Sequence, residues 1–168
     1  MKKEQFYDEL VNDLSALIAG EDRFITILSN SSALLFERLE AVNWAGFYLL
    51  EGDTLFLGPF QGRPACVRIA AGKGVCGRAV LENRVQRVGD VHAFPGHIAC
   101  DAASNAEIVL PMVVDGVLVG VLDIDSTIYD RFDAADEQGL EALVAALCQQ
   151  LSQSDVLTFI NSRMLRQG

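Results

Sequence analysis

The sequence is poor in proline, in aromatic residues and in basic charge. Proline occurs 4 times in 168 residues and aromatics make up 8%, beside 51% apolar and 21% charged residues. That balance excludes collagen-like, coiled-coil and disordered chains. One domain of this length buries about 68–70% of its unfolded surface, enough for a core without disulfide staples. Basic residues number 13 against 23 acidic ones, a net charge of −10. Such a field repels phosphate backbones and anionic membrane surfaces, and it favours a cation or a zwitterion with an exposed ammonium. Long apolar runs are missing. Ile108 to Val114, interrupted by Pro111, is far too short for a membrane span. The opening residues Met1-Lys2-Lys3-Glu4-Gln5-Phe6 hold no apolar segment, so no secretory signal and a cytoplasmic location are expected. No Cys-x-x-Cys pair occurs among Cys66, Cys76, Cys100 and Cys148, which argues against zinc and against a thioredoxin-type motif. No metal and no cofactor are expected.

What is present reads as a single α+β domain over 1–168. Phe6, Leu10, Leu14 and Leu17, then Phe24, Ile27, Leu28 and Leu35, recur at helical spacing over 1–40. The period then changes to two. Strands are predicted at Val42 to Leu50, Thr54 to Leu57, Ala65 to Ile69 and Val85 to Val88, with a short helix from Gly74 to Asn83. Glu107 to Val114 and Val117 to Asp125 flank Asp115-Gly116, a hairpin signal that completes a sheet region over 42–125. Asp133 suits the N-cap of a final helix over 133–153, and the tail past Ser154 is left unassigned. Helices at both ends and strands between imply an antiparallel sheet with helices on one face. The other face is then free to build a pocket, roofed by the polar connection Gly89 to Asn105, which is longer than ordinary loops.

The thiols are the first chemical candidates. Cys148 falls in the apolar register of the last helix and reads as core. Cys100 lies in the long connection, in His97-Ile98-Ala99-Cys100-Asp101, where a reactive thiol and a buried one are equally compatible with its place. Cys76 sits in a glycine-rich turn and Cys66 at the start of a strand. Three thiols so close in sequence suggest thiol–disulfide chemistry, though spacing does not show that they meet. Asp123 and Asp125 share one strand face, either as a solvated strand end or as a pocket that holds a cation and keeps one carboxyl protonated. Glu107 depends on the hairpin. A three-residue loop pairing Val113 with Val117 sets it opposite Asp123; a two-residue loop with an unbroken ladder sets it opposite Ile124, on the wrong face. The three-residue loop is the expected one. Trp44 and Tyr48 alternate onto one face around Gly46, as core or as an aromatic wall, with Gly46 leaving room or marking a bulge. His92 and His97 fit no zinc spacing, and His97 is a candidate to assist Cys100 by lowering its pKa, a role that the geometry of the connection decides.

These residues together resemble one family. Asn43-Trp44-Ala45-Gly46-Phe47-Tyr48, Leu57-Gly58-Pro59-Phe60-Gln61-Gly62, Gly74-Val75-Cys76-Gly77, the Cys100 segment, Ser104-Asn105-Ala106-Glu107-Ile108 and Gly120-Val121-Leu122-Asp123-Ile124-Asp125-Ser126 are similar to free methionine-(R)-sulfoxide reductases, which are single GAF domains. The resemblance implies a GAF-like fold with Cys100 as nucleophile, Cys66 as resolving partner and Cys76 as the second candidate for that role. It implies Trp44 and Tyr48 beside the substrate, and Glu107, Asp123 and Asp125 on the polar side of the pocket. It also implies a thioredoxin-type dithiol as reductant, with a homodimer among the oligomeric states left open. The rival is a non-catalytic GAF sensor module. Phe132, Asp136 and Glu137 match the end of a cyclic-nucleotide signature, but helix capping accounts for that segment. A thiol peroxidase is a third reading.

Overall fold

The computed structural model describes residues 1–98, 100 and 102–165. Helices α1 (Lys3–Ile18) and α2 (Phe24–Arg38) lead into strands β1 (Val42–Glu51), β2 (Thr54–Gly62) and β3 (Arg68–Ala70). Helix α3 (Gly74–Glu82), the short β4 (Gln86–Val88) and the connection over 89–105 follow. The chain then forms β5 (Ala106–Val114), β6 (Val117–Ser126), α4 (Ala134–Leu151) and α5 (Val156–Leu165). The strands make one antiparallel sheet in the order β3-β2-β1-β6-β5-β4.

Strand alternation divides the apolar residues into two cores. Ala45, Phe47 and Leu49 of β1 and Ile108, Leu110 and Met112 of β5 face α1, α2, α4 and α5. Trp44 and Tyr48 turn to the opposite face, with Leu55, Ile69, Val109 and Val121, and α3 lays Val75, Cys76 and Ala79 against them. Asp133 caps α4, accepting from Asp136 N while the Asp136 side chain accepts from Asp133 N in a capping box. Asp136 also accepts from Tyr7 at 2.8 Å and pairs with Lys3 at 2.7 Å, so the segment resembling a nucleotide signature ties α1 to α4.

The hairpin corrects the expected register. Asp115 and Gly116 both have positive φ, 49° and 80°, and close a two-residue turn with Val114 opposite Val117. The ladder is then broken: Val113 pairs with Leu118 but Met112 with Gly120, leaving Val119 as an extra residue. Val119 and Leu122 both enter the helix-side core, which is the change of parity in physical form. Glu107 therefore lies opposite Asp125 rather than Asp123, and it shares the face of both aspartates. Several boundaries also differ from expectation. β3 begins at Arg68 rather than Ala65, which leaves Cys66 in the loop before it. β2 continues to Gly62 past an irregularity in its pairing with β1, and the tail folds as α5, burying Val156 and Ile160.

Candidate active site

The polar floor is built by β5 and β6. Glu107 is 7% exposed and Asp123 5%, set among Trp44, Tyr48, Val109 and Val121 on the same face. Two buried carboxyls side by side cannot both ionise cheaply. Burial, then the charges of Asp123 and Asp125, push Glu107 well above the usual carboxylate range. Asp123 is also raised by burial, with hydrogen bonds from Glu107 and Cys76 opposing that shift. The Cys76 thiol rises well above its usual value through burial and then the charge of Asp123. Burial and mutual repulsion thus favour the protonated forms of these groups. Asp123 Oδ1 is buried and has no hydrogen-bond partner among the described residues.

The aromatic wall comes from β1. Trp44 stacks on Phe60 at 5.2 Å and lies 5.9 Å from Tyr48, and its Nε1 donates to Arg63 O at 3.1 Å. Gly46 is required by close approach: a Cβ there would lie 2.3 Å from Phe60 Cβ. The space that the sequence left for a ligand is filled by Phe60, beside the irregularity in the β1–β2 register. The Tyr48 hydroxyl donates to Cys66 O at 2.9 Å and so fixes the loop that carries this cysteine.

Cys66 and Cys100 are joined in a disulfide with Cα atoms 5.4 Å apart, within the ordinary range. The bond ties the connection over 89–105 to the loop before β3. Cys76 and Cys148 are free thiols, both buried. Cys148 belongs to the helix-side core, where burial raises its thiol to about 11. A partly open cavity brings together Trp44, Tyr48, Cys76, Cys100, Glu107, Asp123 and Asp125. Cys66 abuts the cavity through its bond to Cys100 and its neighbour Ala65.

Sequence reasoning singled out Cys76 and its glycine turn but missed Lys73 as a lining residue of the cavity. Lys73 and the first residues of α3, Gly74 to Cys76, line the cavity together, and Ile98 packs over Gly74. The Gly74-x-Cys76-Gly77 turn held the signal, since glycines before a helical run mark a close approach at a helix start. His97 also lines the cavity, and burial followed by the nearby His92 lowers its pKa. The connection itself is pinned by Val91 N to Asn105 O at 2.9 Å and Asn105 N to Ser126 O at 2.8 Å. Ala99 and Asp101, which flank Cys100 in sequence, lie outside the described residues.

Fold and site together define a GAF domain carrying a cysteine pair at the rim of a pocket floored by buried carboxyls, and the GAF domain family matches residues 4–154. The free methionine-R-sulfoxide reductase of Escherichia coli is 61% identical over 162 residues, 96% of this chain and 98% of that protein. The solved fRMsr of Staphylococcus aureus in complex with substrate is 56% identical with a TM-score of 0.83, covering 86% of this chain and 95% of that one. The free methionine-R-sulfoxide reductase of Neisseria meningitidis, solved in complex with its substrate, is 39% identical with a TM-score of 0.87, over 91% and 92%. Within the GAF family, this chain belongs to the free methionine-R-sulfoxide reductases. Among the described residues no helix is long and apolar enough to cross a membrane.

Proposed function

We propose that the protein reduces free L-methionine-(R)-sulfoxide to methionine, and that Cys100 is the attacking thiol. The observation that carries this reading is the Cys66–Cys100 disulfide at the rim of a pocket floored by buried carboxyls, where burial raises the pKa of Glu107. A sulfoxide oxygen leaves only once it is protonated, and a thiolate then attacks the sulfur. Glu107, backed by Asp123 and Asp125, supplies that proton. The same carboxylate cluster faces the substrate ammonium through Asp123 Oδ1. The substrate carboxylate turns to the start of α3, where unpaired N–H groups and Lys73 favour an anion. Trp44 and Tyr48 enclose the methyl and methylene groups.

Attack transfers the sulfoxide oxygen to Cys100 as a sulfenic acid and releases methionine. The Cys66 thiol then displaces water and forms the disulfide, so each sulfoxide consumes one dithiol. A thioredoxin-type protein in the cytoplasm restores the two thiols by exchange, which requires no cofactor. Cys66 rather than Cys76 takes the resolving role in this scheme, because it is the residue bonded to Cys100 while Cys76 stays a free thiol. The domain responsible is the whole chain, alone or as a homodimer. Incubating the reduced protein with each sulfoxide epimer and dithiothreitol tests the reading. Free methionine should appear from the R epimer, and turnover of neither epimer would overturn it.

A further inference from the structure

The three buried groups under the disulfide converge. One ligand atom each from Cys76, Glu107 and Asp123 lie within 4.8 Å of one another, and all three residues line the same cavity. They are 4%, 7% and 5% exposed, so water competes little for them. Asp123 contributes a second signal, since its Oδ1 is buried without a partner among the described residues. One sulfur and two carboxylate oxygens, with an open side toward the cavity, suit a tetrahedral divalent ion of borderline softness; hard cations prefer six or more oxygens. From this geometry we infer that Cys76, Glu107 and Asp123 form an inhibitory site for zinc-like divalent cations. The ion occupies the position that the substrate ammonium takes in the proposed function, on which the competitive part of this inference rests.

The balance is simple. The ion displaces the Cys76 thiol proton and the proton held between Glu107 and Asp123, forming one metal–sulfur and two metal–oxygen bonds without any change of oxidation state. The disulfide occupies Cys66 and Cys100 in the oxidised protein, and Cys148 lies in the other core, so Cys76 is the thiol left at this site.

The test titrates Co²⁺ alone into the oxidised protein and reads the thiolate-to-cobalt charge-transfer band in the near ultraviolet. A one-to-one band should appear, be lost in Cys76→Ser and persist in Cys148→Ser. About two protons should be released per ion, read with an indicator in weak buffer, and Zn²⁺ should abolish the band by displacement. Free methionine, which carries the same ammonium, should raise the apparent Kd for Co²⁺ at least tenfold in the unaltered protein. Absence of the band, or its survival in Cys76→Ser, overturns the site. A band that methionine leaves unmoved overturns the competition while the site stands. These spectra involve no turnover, so they fail or succeed separately from the reductase assay.

Discussion

Removing the substrate's ammonium isolates what the carboxylate floor contributes. Asp123 Oδ1 is buried and the described residues offer it no hydrogen-bond partner, so a ligand in the pocket is what can supply one. A substrate without the ammonium leaves that oxygen desolvated, at a cost of about 1–3 kcal/mol for an unsatisfied buried group. The loss converts to roughly 5- to 150-fold in kcat/KM. The desamino analogue, 4-(methylsulfinyl)butanoate, is the cleaner probe, because it is smaller than the natural substrate and steric exclusion cannot explain its failure. N-acetyl-methionine sulfoxide and a sulfoxide residue inside a peptide should fail as well, with crowding under the 89–105 connection added. The assay follows free thioether product with dithiothreitol as reductant, so that recycling by a protein donor does not enter. Turnover of the desamino compound within twofold of methionine sulfoxide would show that the floor does not read the ammonium.

Cys100→Ser should abolish product formation even in a single turnover, whereas Cys66→Ser should release one methionine per chain and then stop with a thioredoxin-type donor; equal steady-state rates in Cys66→Ser and wild type would refute the resolving role. Cys148→Ser should retain near wild-type activity, checked with the same assay, since that thiol packs in the helix-side core. Because burial raises Glu107, the folded chain binds more protons than the unfolded one above the ordinary glutamate value near 4.3. Stability should therefore fall as pH rises from there, by up to about 1.4 kcal/mol per pH unit until the folded value is passed. Urea midpoints across pH should show a shallower fall in Glu107→Gln, and an unchanged slope would refute the assignment. Gly46→Ala, which places a Cβ 2.3 Å from Phe60 Cβ, should cost at least about 1–3 kcal/mol in the same measurement.

The two faces of the sheet were legible because a strand's period of two leaves a plain trace. Trp44 and Tyr48 fall in one core and Ala45, Phe47 and Leu49 in the other, as their alternation implies. The Asp115-Gly116 turn was legible too, since both residues tolerate positive φ. The register was not. The bulge at Val119 arises where Val119 and Leu122 both pack against helices, and such a choice is made by tertiary contacts rather than by local sequence. β2 was cut short at Leu57 because Gly58-Pro59 reads as a break, yet the strand resumes at Phe60 to pair with Gly46. α5 escaped because its start is fixed from afar: Asp155 Oδ1 accepts from Phe24 N at 2.9 Å and its O from Phe159 N in the new helix. The meeting of Cys66 with Cys100, separated by 34 residues, likewise depends on how the connection folds back over the sheet.

The extra residue at Val119 makes the hairpin behave like a message with a reading frame of two. Every position between Glu107 and Asp123 is spelled either inward or outward, and inserting or deleting one residue inverts all that follow. With the tight turn alone, Glu107 would face the helices opposite Ile124; the bulge shifts the frame once more and returns it to the side of Asp123 and Asp125. Length changes in this hairpin are therefore tolerated in compensating pairs, a longer turn with the loss of the bulge or the reverse. A single change would deliver a carboxylate into the oily side of the sheet and an isoleucine into the pocket. The frame is set far from the chemistry, near the turn, so drift at the tip of an exposed hairpin is checked by what it would do to a proton several residues away.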